Sequence, residues 1–395
     1  MTFNIFRRLL DPVIDIQKRR RFPSLYATHP LRLLRRTYLH LERTLIKSNK
    51  VLMLPVRVKL NTGYSCNLKC PLCATGRRDP RPSSGQLTLA GTRSLLPRLT
   101  SVEIVSLFGW GEPFLNREIF DIIDLLKLQG KFVSIDSHLS IKDTAVIERL
   151  AKCPIDLLTV SLDGADEASY ATYRFGGSFE LVIRNLRMLM ASNQGPRRIR
   201  WQYIVSRKNQ AFIERARELS KELGVEMFVF DIGMYNEMFY EASESVKREW
   251  WTDEQMARIA QAGEASRNDT CMYMYDDPYV DFDGNVYPCC HAPNAPKELT
   301  TSGFQNVFGS LRTHTLRQIW NNGYYQAARS LFSGRGHHAG AVKPICLRCR
   351  AYLKRLPGAA QADLLQFDPE PELLIQLPGL RQGTIEDVAN SENTQ

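Results

Sequence analysis

From residue 56 onward, short apolar runs alternate with longer stretches whose apolar positions recur every three to four residues. The runs at 56–61, 102–107, 132–136, 157–162, 199–205 and 226–231 predict strands, and the spacing over 89–99, 117–128, 143–151, 179–191 and 210–223 predicts the helices between them. Six short strands alternating with helices define an α/β class with a parallel sheet and right-handed crossovers. Its site belongs at the carboxyl ends of the strands. Upstream, Leu31, Leu34, Tyr38, Leu41 and Leu45 follow Pro30 at helical spacing. Downstream, residues 233–270 turn rich in Tyr, Met and Glu, with a helix expected from Thr252, and Asp283-Gly284 marks a hairpin turn. From Gly383 the polar tail has no periodicity, which predicts disorder.

With 395 residues, 44% apolar and 24% charged, the chain is long enough for two domains of ordinary globular composition. No run of 18 or more apolar residues appears and no signal-peptide pattern opens the chain, so a cytoplasmic protein is expected. The net charge of +10 is concentrated in residues 1–50, where twelve Lys/Arg stand against Asp11, Asp15 and Glu42. A basic amphipathic helix there suits peripheral contact with an anionic membrane; its bland counterpart is a helix packed on the barrel with its arginines in solvent. No nucleic acid is expected, since no recognition motif accompanies the charge.

Seven of nine cysteines fall in short-range clusters, a pattern of metal ligands rather than disulfides. The first set is Cys66-Asn67-Leu68-Lys69-Cys70-Pro71-Leu72-Cys73, on the loop leaving the first strand. A structural zinc ion takes four ligands, whereas three thiolates on a four-iron cluster leave one iron open. Zinc or unligated core thiols are the alternatives. The spacing Cys-x3-Cys-x2-Cys resembles the radical S-adenosylmethionine (radical SAM) superfamily, which implies a partial (β/α)6 TIM-like barrel and a [4Fe–4S] cluster whose open iron chelates SAM.

Phe108-Gly109-Trp110-Gly111-Glu112-Pro113, after the second strand, resembles that family's Gly-Gly-Glu-Pro turn. The resemblance implies that Gly109, Gly111 and Glu112 meet the amino group of SAM, with Trp110 and Leu72 as variations on the family pattern. Ser161-Leu162-Asp163-Gly164 is similar to a stretch of related SAM enzymes, and implies a contact from Ser161 and a charge-assisted pair from Arg174 to the SAM carboxylate. Arg174 also reads as a surface arginine. Ser137-His138-Leu139 replaces the family's Thr-Asn-Gly, and His138 reads as a packed loop histidine.

Cys271, Cys289, Cys346 and Cys349 form a second set, which by ligand count suits zinc or a four-iron cluster equally. The order Cys-x12-Gly-x4-Cys, then a gap and Cys-x2-Cys, resembles SPASM/twitch domains and implies one auxiliary [4Fe–4S] cluster. Cys290 is a spare beside Cys289, whose spacing from the glycine favours it as the ligand, and Cys153 reads as a core residue. The expected domains are a basic helical extension at 1–54, a barrel at 55–232, a bridge at 233–270, an auxiliary domain at 271–355 and a tail at 356–395.

The resemblance implies reductive cleavage of SAM to a 5′-deoxyadenosyl radical and abstraction of hydrogen from a substrate C–H. A two-electron oxidation assisted by the auxiliary cluster is expected, on a small molecule, sugar or lipid-linked substrate, with a flavodoxin or ferredoxin as electron donor. A peptide-modifying maturase is the alternative. It is the less favoured of the two because a basic helical segment of fifty residues is short for a leader-binding domain. More remote is a non-catalytic zinc scaffold. Asp276, Asp277, Tyr279 and His291 are candidate proton acceptors, although acidic hairpin residues are usually solvated.

Overall fold

The computed structural model describes residues 30–77, 85–231, 244–257, 271–295, 297–333 and 342–353. The expectations for residues 1–29, for both ends of the 233–270 bridge and for the tail lie outside the described residues. Six parallel strands follow one another across the sheet: β1 (Arg57–Leu60), β2 (Ile104–Leu107), β3 (Phe132–Ser137), β4 (Leu157–Ser161), β5 (Ile199–Val205) and β6 (Glu226–Asp231). Helix α1 (Pro30–Leu41) precedes them. Between them lie α2 (Leu89–Leu95), α3 (Ile119–Leu128), α4 (Thr144–Leu150), α5 (Glu167–Ala171), α6 (Phe179–Met190) and α7 (Ile213–Glu222), and α8 (Glu244–Trp250) follows β6.

Helix starts are marked locally. Thr88 Oγ1 accepts from Gly91 N at 2.9 Å, Asp143 Oδ1 from Ala145 N at 3.0 Å and Ser178 Oγ from Leu181 N at 3.3 Å, each satisfying an orphan donor of the first turn. The strands read differently on their two faces. Val58, Leu60, Val105, Leu107, Val133, Ile135, Leu158, Val160, Trp201 and Tyr203 enter the main apolar core with the helices. The alternate positions run Lys59, Ser106 and Ser134 in one register row and Asp136, Thr159, Arg200 and Glu226 in another. The inner face of the partial barrel is therefore polar, above a small apolar floor of Ile104, Phe132 and Leu157.

The auxiliary region is built onto the same sheet. Strand β7 (Tyr279–Val280) pairs parallel with β1, and β8 (Asn285–Tyr287) and β9 (Gly309–Ser310) continue antiparallel, giving the order β6-β5-β4-β3-β2-β1-β7-β8-β9. The Asp283-Gly284 turn lies between β7 and β8, with Gly284 at φ +87°, a conformation that favours glycine. Helix α1 packs at the amino end of the barrel, where Arg35 Nη2 donates to Leu54 O at 3.0 Å and its Nη1 lies 3.5 Å from Glu103.

Candidate active site and its two thiol sets

The cysteine loop is shaped by its own backbone and by one glycine that sequence reasoning missed. Cys73 N donates to Cys70 O at 3.1 Å, Arg77 N to Cys73 O at 2.9 Å and Leu68 N to Cys66 Sγ at 3.4 Å. Gly76 lies flat against Cys70, and a Cβ at 76 would overlap the Cys70 backbone. The only signal for it was a glycine three residues past the last thiol. Leu68, Cys70 and Leu72 pack with Tyr173, Ile204, Trp250 and Trp251, and Cys66, Cys73 and Phe230 join the same cluster. Ile204 and Phe230 stand near the carboxyl ends of β5 and β6, so the loop sits where the strand order placed it.

Burial pushes the Cys66 thiol up to about 12, even though Leu68 N donates to it, with Cys70 and Cys73 adding to the shift. Cys70 rises to about 11 by burial, restrained by Arg174. Thiols this close, with Cys70 buried and Cys66 and Cys73 half-buried, need a cationic centre to exist together as thiolates.

Glycines 109 and 111 let the turn after β2 lie directly on this loop. A Cβ at Gly109 would strike Asn61 Oδ1, and one at Gly111 would come within 2.5 Å of Ser65 O. Glu112 N donates to Ser65 O at 2.8 Å. The Glu112 side chain has partners within the protein. Its Oε1 accepts from Ser137 Oγ at 2.8 Å and Phe114 N at 3.1 Å, its Oε2 accepts from His138 N at 3.0 Å, and the His138 ring lies 3.2 Å away. Glu112 thus ties the turn to the end of β3. His138 is buried and neutral, since its Nδ1 accepts from Ser140 N at 3.0 Å and burial lowers its pKa.

Arg174 is mostly withdrawn from the surface, its side chain 12% exposed. Its Nε and Nη2 each lie 2.6 Å from Asp163 Oδ2, and its Nη1 is 4.0 Å from Cys70 Sγ. Ser161, at the end of β4, is half-buried on the inner face.

The thiols of the second set lie near enough to influence one another. Cys289 is pushed well above the usual thiol value by burial and then by Cys290, Cys349 and Cys271, and Cys346 by burial and then by Cys349, Cys289 and Cys271. Cys349 N donates to Cys346 O at 3.1 Å. Cys290 points elsewhere: its Sγ is 3.6 Å from Lys59 Nζ and 4.0 Å from Tyr273 Oη. Burial alone would raise Cys290, but Lys59 and His291 outweigh it and bring the thiol to about 6. Cys153 is buried in the main core.

Among the described residues no three His, Cys, Asp or Glu side chains are drawn together as tightly as a single ion requires. Ligands of a cubane each hold a different corner, so thiols that influence one another without forming a tight cage suit such a cluster. Three donors in one set and four in the other fit one open and one closed [4Fe–4S] cluster.

A polar-lined partial barrel with a thiol loop at its carboxyl end and a second thiol set on an extension of its sheet defines a class. The chain belongs to the radical SAM superfamily: that family matches residues 60–199, and an iron–sulfur cluster-binding SPASM domain matches 271–350. Its cofactors are accordingly a SAM-binding [4Fe–4S] cluster, an auxiliary cluster and SAM. Among curated relatives it is similar to mycofactocin maturase MftC of Mycobacterium tuberculosis, 22% identical over 280 residues, covering 64% of this chain and 70% of that protein. It is also similar to the AdoMet-dependent heme synthase of Methanosarcina barkeri, 26% identical over 161 residues, covering 40% of this chain and 45% of that one. Among solved structures, Streptococcus suis SuiB bound to its precursor peptide SuiA shares the fold, with TM-score 0.55, 16% identity and coverage of 93% of this chain and 88% of that chain.

Proposed function

We propose that this protein is a radical SAM enzyme that oxidises a peptide or protein substrate. The observation that carries the reading is the likeness to a maturase, MftC, which extends over 280 residues. The small-molecule, sugar or lipid-linked substrate expected from the sequence is the second reading, kept by the partial likeness to a heme synthase. The short N-terminal extension tilted expectation away from peptides, but leader binding by a separate domain is not the only way to hold a peptide.

When bound, SAM and the two clusters supply a 5′-deoxyadenosyl radical able to take hydrogen from a C–H bond and a centre able to accept an electron from the product of that step. The chain supplies the rest. Cys66, Cys70 and Cys73 would hold the open cluster, and Cys271, Cys289, Cys346 and Cys349 the closed one. The Gly109–Gly111 backbone would meet the SAM amino group, Ser161 would contact SAM and Arg174 would pair with its carboxylate. Tyr173, Trp250 and Trp251 exclude water from the loop. The domain boundaries expected from the sequence remain our proposal.

An open cavity of about 690 Å³ borders Asn67 of the cysteine loop and carries Arg117, Lys142 and Arg149. This basic rim suits an acidic electron donor of the flavodoxin or ferredoxin kind. No helix among the described residues is long and apolar enough to cross a membrane. The expected location is cytoplasmic with contact to a membrane surface; Leu34 is 69% exposed, and Leu52, two residues from exposed Lys50, is 63% exposed, which suits that contact.

The test is anaerobic assay of the iron-loaded protein with SAM and dithionite against two pools from the same cells, short peptides and protease-treated small molecules and lipids. Extra 5′-deoxyadenosine with the peptide pool, abolished by protease, supports the reading. Stimulation by the protease-treated pool alone would replace it with the second.

A further inference from the structure

Lys59 is a charged residue in the middle of a parallel strand, and the chain surrounds it deliberately. Its Nζ lies 3.2 Å from Asp277 Oδ2 and 3.6 Å from Cys290 Sγ, over the Tyr273 ring at 4.6 Å and the Phe108 ring at 5.4 Å. The Asp277 side chain is 3% exposed, and its Oδ1 is buried without a hydrogen-bond partner. Trp110 Nε1 donates to Cys290 O at 2.8 Å, and the Trp110 ring meets His291 edge-on at 6.0 Å. The group therefore lies between the turn after β2 and the residue that follows Cys289. Neither thiol set uses it.

Lys59 is the cation shared between two acidic groups, the Asp277 carboxylate and the Cys290 thiol. The ammonium is the end turned to Cys290, whose chain neighbour is a ligand of the closed set. Burial opposes a charge on Lys59, yet Asp277 and Cys290 hold its pKa well above the ordinary value, so the ammonium persists at any working pH. A fixed positive charge in a water-poor wall favours the extra electron of a reduced cluster, because net charge and exposure set cluster potentials.

We infer that Lys59, fixed by Asp277, is a positioning residue that raises the reduction potential of the auxiliary cluster and so poises it to accept an electron from the barrel side. This rests on the assignment of Cys271, Cys289, Cys346 and Cys349 to that cluster. It gives the inner-face row Lys59–Ser106–Ser134 a directional role: the end nearest the auxiliary set carries the charge.

The test is an EPR-monitored potentiometric titration of the intact, iron-loaded chain and its Lys59→Met and Asp277→Asn variants. Lys59→Met should move the auxiliary midpoint to more negative values and Asp277→Asn to more positive ones. The double variant should fall between, and Lys59→Arg should stay near the parent. In each case the shift should exceed that of the SAM-binding cluster. Unmoved midpoints, or the same direction in both single variants, would overturn the inference while leaving the cluster assignment intact. If Lys59→Met does not fold, the sign of the Asp277→Asn shift decides alone. Full iron retained after Cys271→Ala and Cys289→Ala would overturn the assignment itself and the inference with it.

Discussion

Arg174 joins the fourth strand's exit to the cysteine loop: it grips Asp163 through two nitrogens at 2.6 Å and extends the third to within 4.0 Å of the Cys70 sulfur. Asp163 is fully buried and its other oxygen accepts from Ile204 N at 2.7 Å. Arg174→Met leaves that carboxylate without its counter-charge and should destabilise the fold by about 3–5 kcal/mol. Denaturant unfolding checks it. Arg174→Met/Asp163→Asn should recover part of the loss, since the amide still accepts from Ile204 N.

Adjacent cysteines should behave differently. Cys289→Ser should remove the auxiliary cluster, about four of roughly eight irons, whereas Cys290→Ser should keep them. Iron and sulfide analysis after anaerobic reconstitution reads this directly, and equal losses from both would contradict the opposed environments of the two thiols.

Gly76→Ala places a methyl into the Cys70 backbone. Backbone cannot swing aside as a flexible side chain does, so the loop must open. The expected result is loss of the SAM-binding cluster with the auxiliary cluster retained, seen as about half the iron and no 5′-deoxyadenosine.

His138 gives the fold an acid limit. Burial lowers its pKa although Glu112 opposes the shift, so the unfolded chain takes up a proton near pH 6.5 before the folded one does. Stability contributed here is complete above pH 6.5 and falls as the pH drops through that value, until the folded group also protonates. His138→Gln should flatten the stability profile below pH 6.5; an unchanged slope would sink the idea.

Much of the barrel was legible because each strand keeps an apolar face toward helices. β5 and β6 end where the spacing put them, and the thiol sets follow from ligand count and order. The partners of Glu112 were not legible, because Ser137 and His138 lie on another strand's exit: they and Phe114 donate to its two oxygens. Lys59 was passed over because a lysine in an alternating strand normally marks the solvent side, and here that side is the barrel's interior. The continuity of the sheet was hidden for a different reason: β7 contributes two ladder residues, too few for any period to register.

That short pairing ties together distant parts of the polypeptide. Lys59 meets Tyr279 across the ladder, while Val51 and Asn321, 270 positions apart, exchange two hydrogen bonds. Arg329, fully buried, donates to Asn49 O at 3.0 Å from 280 positions away. On a ribosome, then, β1 waits for most of the chain before its second neighbour emerges, and contacts this remote in sequence form slowly. The thiol loop that follows β1 spends that interval without the bridge tryptophans that later wall it.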